Sequence, residues 1–168
     1  EGIVIFNPGG TLPDVLTSLI FPASTTLISI TYNSLESITV DPDNTSYSSK
    51  DGVLFNQDQT TLIYIPSKYP IDTYTIPSTV TTISGGAVSY VEINRLIVST
   101  SVTTFDYLAF NGLKIPNIDF LRNTLEIDVG TLPFYQVIID TTIPVITFYD
   151  TEDESDINFT LLNNINGF

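Results

Sequence analysis

The chain contains no cysteine and no histidine. Without cysteine it has no disulfide framework and no thiolate to act as a nucleophile or metal ligand. Without histidine it has no side chain whose ordinary pKa lies near neutrality, and no imidazole ligand. Since most hydrolytic and zinc-dependent mechanisms rely on these groups, we expect a protein that is not an enzyme and uses no cofactor.

Positive charge and long apolar runs are also scarce. Five basic residues stand against 19 acidic ones, which gives a formal net charge of −14. Nucleic acids and anionic membranes both require a basic patch, and five scattered cations cannot form one. The most apolar stretch, "LTSLIFPASTTLISI", is interrupted by Pro, Ser and Thr and is not a membrane span. The sequence therefore predicts no nucleic-acid partner and no membrane insertion.

What the chain has in quantity is strand-forming residues. Hydrophobic residues make up 42% of its 168 residues and charged residues 14%, which is typical of a folded chain rather than a disordered one. Ile, Val, Thr, Tyr and Phe favour strands, and short runs such as "LESITV", "TLIYIP" and "RLIVS" recur along the sequence. This composition predicts one β-rich domain over residues 1–168, with an all-β sandwich as one candidate architecture.

Internal repetition decides between architectures. The segment "IPSTVTTISGGAV" (76–88) aligns with "VSTSVTTFDYLAF" (98–110) at an offset of 22 residues. The offset extends to a series of equivalent strand positions: Phe21, Val40, Ile76, Val98, Phe120 and Ile139. A period of about 20 to 25 residues with one strand per period is typical of a leucine-rich-repeat solenoid. We therefore favour a solenoid over the sandwich.

These repeats resemble those of the BspA-like leucine-rich-repeat family of surface proteins. That family's repeat reads Ile-Pro-x-x-Val-x-x-Ile-Gly-x-x-Ala-Phe, and the copy beginning at Ile76 departs from it at Ser84 and Val88. The next copy has Ser99 in place of Pro, and the resemblance is strong over residues 35–112. It implies a secreted or cell-surface module that mediates adhesion or protein–protein recognition and catalyses nothing.

The predicted fold is a parallel ladder of short strands joined by short helical or irregular turns. The step from Val40 to Ile76 is 36 residues, about 14 more than the usual period of such repeats. "GVLFN" and "TTLIYIP" around "QDQ" predict a β-hairpin inserted at about 47–70, with one face packed and one face wet. We assign 1–19 to an N-terminal end turn, 20–145 to the repeats and 146–168 to a C-terminal cap.

The outward positions of the strands are the predicted binding surface. Alternation along "RLIVS" places Leu96 and Val98 inside and Arg95 and Ile97 outside. One predicted outward column runs through Ile20, Thr39, Thr75, Ile97, Asp119 and Ile138, and its neighbour through Ser18, Ser37, Thr73, Arg95 and Asn117. The residues proposed for contact with an extracellular protein or glycan are Thr39, Thr73, Thr75, Arg95, Ile97, Asn117 and Asp119. A register shift of one would turn them all inward.

Two other functions fit the sequence. The tyrosines Tyr32, Tyr47, Tyr64, Tyr69, Tyr74 and Tyr90 would suit a carbohydrate-binding accessory domain, although strand proteins often use tyrosine for packing. The chain would also suit a structural spacer within a larger surface protein.

Acidic clusters raise the question of calcium. In "DPDNTS" the carboxylates of Asp41 and Asp43 alternate as calcium ligands do, but Ser46 and Gly52 stand where a full calcium loop requires Gly and Glu. Asp, Pro and Asn are also ordinary turn residues. "DTEDESD" (150–156) is typical of a solvated acidic loop. We therefore predict turns and no metal site. Asn44 and Asn158 begin glycosylation sequons.

Overall fold

The computed structural model describes residues 16–28, 30, 34–112, 114–122, 145–150 and 156–160. Twelve strands occupy much of these ranges, and the connections between them are turns and bends, without a helix in the described part. No helix among the described residues is long and apolar enough to cross a membrane.

One five-stranded sheet contains the longest parallel ladder among the described residues. Its strands are β6 (Thr73–Thr75), β8 (Arg95–Val98), β10 (Asn117–Arg122), β11 (Val145–Asp150) and β12 (Asp156–Thr160). Strands β6, β8, β10 and β11 are parallel, and β12 pairs antiparallel with β11. Thr75 lies beside Ile97 and Ile97 beside Asp119, so the 22-residue offset of the sequence is the register of the sheet.

A second five-stranded sheet combines the insertion with the far side of the repeats. It contains β3 (Tyr47–Lys50), β4 (Val53–Asn56), β5 (Thr61–Tyr64), β7 (Thr82–Ile83) and β9 (Thr104–Phe105), in that order. Strands β3, β4 and β5 form an antiparallel meander, whereas β5, β7 and β9 are parallel. The insertion therefore supplies the first strand of the parallel ladder on this side.

The remaining parallel pair consists of β1 (Ser18–Phe21) and β2 (Ser37–Val40). A tight turn follows each of β1, β2, β6 and β8. In each turn the backbone NH of the fourth residue donates to the carbonyl of the first, at 2.9–3.1 Å. The four turns are Pro22–Thr25, Asp41–Asn44, Pro77–Val80 and Ser99–Val102. Their fourth residues are all buried, so the chain enters the core at the same point of every turn.

The insertion separates two hydrophobic cores. The larger lies between the two five-stranded sheets and includes Val53, Phe55 and Leu96; the smaller lies against β1 and β2 and includes Leu54. All three strand residues Val53, Leu54 and Phe55 are fully buried. The prediction of a hairpin with one wet face is therefore wrong for β4, because each face of this strand packs on a different core.

The leucine-rich-repeat solenoid is confirmed, and its parallel ladders are unlike the antiparallel sheets of a sandwich. The predicted continuous ladder from β2 to β6 is wrong. β1 and β2 form a separate sheet, because the NH of Ile38 donates to the carbonyl of Gly52 in the insertion, at 2.8 Å. Ile139 lies outside the described residues, and the residue beside Phe120 on the next described strand is Phe148.

Candidate functional site: the strand face and the corner groove

The outward side of β6, β8 and β10 carries the predicted residues in two columns. Thr73, Arg95 and Asn117 lie side by side in one column. Thr75, Ile97 and Asp119 lie side by side in the other. The alternation that places them here is visible in β8, where Leu96 and Val98 are buried, Arg95 is exposed and Ile97 is half-buried. We call this surface the strand face.

Accessibility differs along the strand face. Thr73, Thr75, Arg95 and Asn117 are exposed, whereas Asp119 is only 4% exposed. The guanidinium Nε of Arg95 pairs with the carboxylate of Asp119. Because a buried carboxylate requires a charged or hydrogen-bonding partner, this pair fixes Arg95 on the surface rather than offering Asp119 to a ligand.

The other predicted face residues do not join these columns. Thr39 and Ile20 are neighbours in the separate β1–β2 sheet, and Thr39 is exposed while Ile20 is 75% exposed. Ser18 and Ser37 are neighbours on the same pair of strands. Ile138 lies outside the described residues, and the residue beside Asp119 on β11 is Thr147.

A groove that the sequence did not predict lies where the chain enters β6, β8 and β10. Its cavity has a volume of about 520 Å³. The lining residues are Tyr69, Pro70, Ile71, Asp72, Glu92, Ile93, Asn94, Lys114 and Pro116. We call this cavity the corner groove. Its signal in the sequence is the 22-residue repetition of the residues before each strand.

Ion pairs cross the corner groove from turn to turn. Glu92 accepts from the ammonium groups of Lys68 and Lys114, with Nζ of Lys114 at 3.0 Å. The hydrogen bond from Lys68 is the main cause, and that from Lys114 the second, of a pKa for Glu92 below its ordinary value. Asn94 donates from its side-chain amide to the Asp72 carboxylate. These contacts tie three successive turns together.

The "DPDN" stretch is the turn after β2. The amide NH of Asp43 donates to the Asp41 carboxylate at 2.9 Å, which uses this carboxylate to close the turn. Among the residues that the structure describes, no group of three or more acidic side chains is arranged to hold a metal ion. Residues 151–155 of the second acidic stretch lie outside the described ranges.

Asn44 is a structural residue rather than an exposed sequon. It is 3% exposed, and its amide Nδ2 donates to the carbonyls of Pro22 and Thr25 at 2.9 Å each. Its Oδ1 accepts from the NH groups of Ser46 and Tyr47. Attachment of a glycan to Nδ2 would require these contacts to break.

Most of the predicted tyrosines pack against the protein. Tyr69 and Tyr74 are buried and form an edge-to-face pair with ring centroids 5.5 Å apart. Tyr47 and Tyr64 are half-buried, Tyr90 is exposed, and Tyr32 lies outside the described residues. Buried tyrosine rings are unavailable for stacking on a sugar, so these residues do not favour the carbohydrate-binding alternative.

Comparison with solved structures identifies bacterial proteins of the same architecture. A leucine-rich-repeat protein from Eubacterium ventriosum is 30% identical, with a TM-score of 0.57 over 61% of this chain. The pneumococcal vaccine antigen PcpA is 28% identical, with a TM-score of 0.58 over 66% of this chain. A leucine-rich cell-surface protein from Faecalibacterium prausnitzii, at 24% identity and a TM-score of 0.52 over 64% of this chain, shares the fold.

The chain spans 29% of the length of each of these three proteins. No protein-family model matches the chain, and no curated protein matches it. The resemblance to leucine-rich-repeat proteins that the repeats indicated is confirmed by these structural neighbours. The chain is therefore a leucine-rich-repeat solenoid whose structural neighbours are bacterial leucine-rich-repeat proteins.

Proposed function

We propose that the chain is a non-catalytic module of a secreted or cell-surface protein, and that it recognises an extracellular macromolecule through the strand face. The observation that carries the proposal is the in-register pair of columns on β6, β8 and β10, which presents Thr73, Thr75, Arg95 and Asn117 to solvent. The bacterial leucine-rich-repeat neighbours support a role in protein–protein interaction.

The physical basis of the proposed recognition is the rigidity of the stacked turns. Each turn contributes one or two side chains to a surface whose spacing is fixed by the parallel ladder. A partner that binds this surface therefore meets an ordered array and loses little affinity to ordering of the module itself. Adhesion to host matrix or to other cells would follow from many such contacts acting together.

The test is a binding panel of extracellular matrix proteins and surface glycans, measured with the wild-type chain and with Thr75→Lys. Thr75 is the exposed last residue of the edge strand β6, between the buried residues Tyr74 and Ile76. A lysine at this position adds bulk and charge to the strand face. We expect about tenfold weaker binding to the partner found, the effect of about 1.4 kcal/mol, with an unchanged melting temperature.

Thr79→Lys is the matched control, since Thr79 is exposed on the turn after β6 and not on the strand face. It makes the same change in charge and should bind as the wild type does. Equal binding by the wild type and Thr75→Lys would overturn the strand face as the contact surface. Absence of binding to every member of the panel would favour a structural spacer and count against recognition.

A further inference from the structure

The corner groove is built by repetition, as the strand face is. Pro70, Glu92 and Lys114 are separated by 22 residues each, and so are Asp72, Asn94 and Pro116. The backbone fixes this alignment, because the NH groups of Asn94 and Arg95 donate to the carbonyl of Asp72 at 2.9 and 3.1 Å. The groove is therefore a rigid feature that opens at the end of the strand face where β6, β8 and β10 begin.

The two carboxylates that line the corner groove differ in whether a cation is paired with them. The lining residues include two carboxylates, Asp72 and Glu92, and one ammonium group, that of Lys114. Glu92 is engaged by Lys68 and Lys114. Asp72 is exposed and takes part in none of the ion pairs found among the described residues; its described side-chain partner is the neutral amide of Asn94. The groove thus contains a carboxylate that lacks a cationic partner in the described structure.

A further acidic residue, Asp51, lies next to Tyr69, which lines the groove. The hydroxyl of Tyr69 donates to the backbone carbonyl of Asp51 at 2.7 Å. Burial raises the pKa of Tyr69 above its ordinary value, and the negative charge of Asp51 raises it further. Together with the formal net charge of −14, this charge favours the approach of a cation to the groove.

The walls of the groove are apolar beside the carboxylate of Asp72. Pro70 and Pro116 line it, and the side chain of Ile71 is 41% exposed beside them. An aliphatic stem with a cationic end group matches this combination, because the stem packs on apolar surface while the charge meets a carboxylate. Arginine fits best, since its planar guanidinium pairs with a carboxylate through two parallel hydrogen bonds.

We propose that the corner groove is an anchoring site for an arginine side chain of the partner protein, with its guanidinium on Asp72 and its stem against Ile71 and Pro116. This inference rests on the proposed function, because it assigns the chemistry of the partner at one end of the strand face. The partner is a protein with an exposed arginine in an extended or loop segment, beside surface that complements the strand face.

The test uses the peptide acetyl-Gly-Arg-Gly-amide and its citrulline counterpart, which has nearly the same shape and no charge. Amide NMR signals of the full chain are followed as each peptide is added. We expect the arginine peptide to shift the signals of Ile71, Asp72 and Asn94 saturably. The citrulline peptide should bind about threefold more weakly or worse, the effect of losing a partly exposed ion pair.

Asp72→Asn removes the charge while keeping an oxygen that accepts from Asn94, so the fold is retained. This variant should bind both peptides equally. Asp58→Asn is the matched control, because Asp58 is exposed in the loop between β4 and β5 and its replacement changes the net charge by the same amount. It should keep the preference for arginine. Equal affinity of the two peptides for the wild type, or shifts confined to other residues, would overturn the proposal.

The two proposals fail in different ways. If the arginine peptide does not bind while Thr75→Lys still weakens partner binding, the strand face stands and the corner groove is wrong. If the arginine peptide binds as expected and no macromolecule in the panel does, the anchoring site stands and the proposed function is wrong.

Discussion

The ring of Tyr90 lies against Gly112, which occupies the same position one turn later. The two residues are 22 apart and both have positive φ, 57° and 63°. A Cβ atom built on Gly112 would lie 2.5 Å from Cε1 of Tyr90. The next turn therefore has a glycine where this turn has an aromatic residue, because the aromatic ring fills the space that a second side chain would need.

Gly112→Ala should destabilise the protein by about 2 kcal/mol, since it adds a clash with Tyr90 to the cost of a positive φ in a residue with a side chain. Gly86→Ala is the control. Gly86 has φ +75°, but its added Cβ would meet only Oγ of Ser89, at 3.6 Å, so the expected cost is about 1 kcal/mol. Urea denaturation measures both. In a Tyr90→Ala background the two costs should become equal, and persistence of the difference would contradict the clash.

Asn44→Ala should cost about 3 kcal/mol of unfolding free energy, because it removes four hydrogen bonds and leaves the buried carbonyl of Thr25 without this donor. The matched change Asn94→Ala removes an exposed side-chain hydrogen bond to Asp72, so it should cost less than about 1 kcal/mol. Thermal and urea unfolding of the two variants provide the comparison. Similar losses would show that Asn44 does not hold the turn after β2.

Leu54→Ala should cost about 3 kcal/mol, as expected for a fully buried leucine. The residue packs on the smaller core, on the face of β4 opposite Val53 and Phe55. Leu27→Ala, at a side chain that is 56% exposed, should change stability by about 0.5 kcal/mol or less. If Leu54→Ala changed stability as little as Leu27→Ala, the face of β4 that carries Leu54 would be exposed to solvent.

Stability should fall as the pH rises above about 10, the ordinary pKa of tyrosine. Burial, then the neighbouring Tyr69 and Asp51, raise the pKa of Tyr74 well above that value. The unfolded chain releases this proton first, so the stabilisation is complete below pH 10 and is lost as the pH rises towards the folded-state pKa. Tyr74→Phe should flatten this decline in urea titrations at increasing pH. An unchanged slope would show that Tyr74 titrates as an exposed tyrosine does.

The repeat pattern was sufficient to predict most of the fold. Val80 and Val102, like Ala87 and Ala109, are equivalent in sequence and equally buried, because stacked turns place identical residues in identical surroundings. The outward columns of β6, β8 and β10 followed from the same offset combined with the two-residue alternation of a strand. These features are local or periodic, and such features can be predicted from a single sequence.

The insertion was harder to predict, because its packing is neither local nor periodic. "KDGV" contains the Asp-Gly pair typical of a two-residue hairpin turn, and Asp51 and Gly52 both have positive φ there. That signal could have predicted the turn between β3 and β4. Nothing in the sequence indicated that Leu54 would be covered by a second core, or that Gly52 would bond to Ile38 and interrupt the ladder. The burial of Asp119 likewise depends on neighbours outside its own repeat.

Because both faces of β4 are buried, the chain can gain or lose residues more easily in some segments than in others. Whole turns such as 76–97 meet their neighbours through the same parallel ladders, so a copy of 22 residues could be gained or lost there with the ladder hydrogen bonds re-formed. Residues 41–75 have no such freedom, since Leu54 and Phe55 join two cores that would otherwise be separate. We expect natural variation in repeat number to fall after residue 76, and the segment before it to behave as one indivisible block in unfolding.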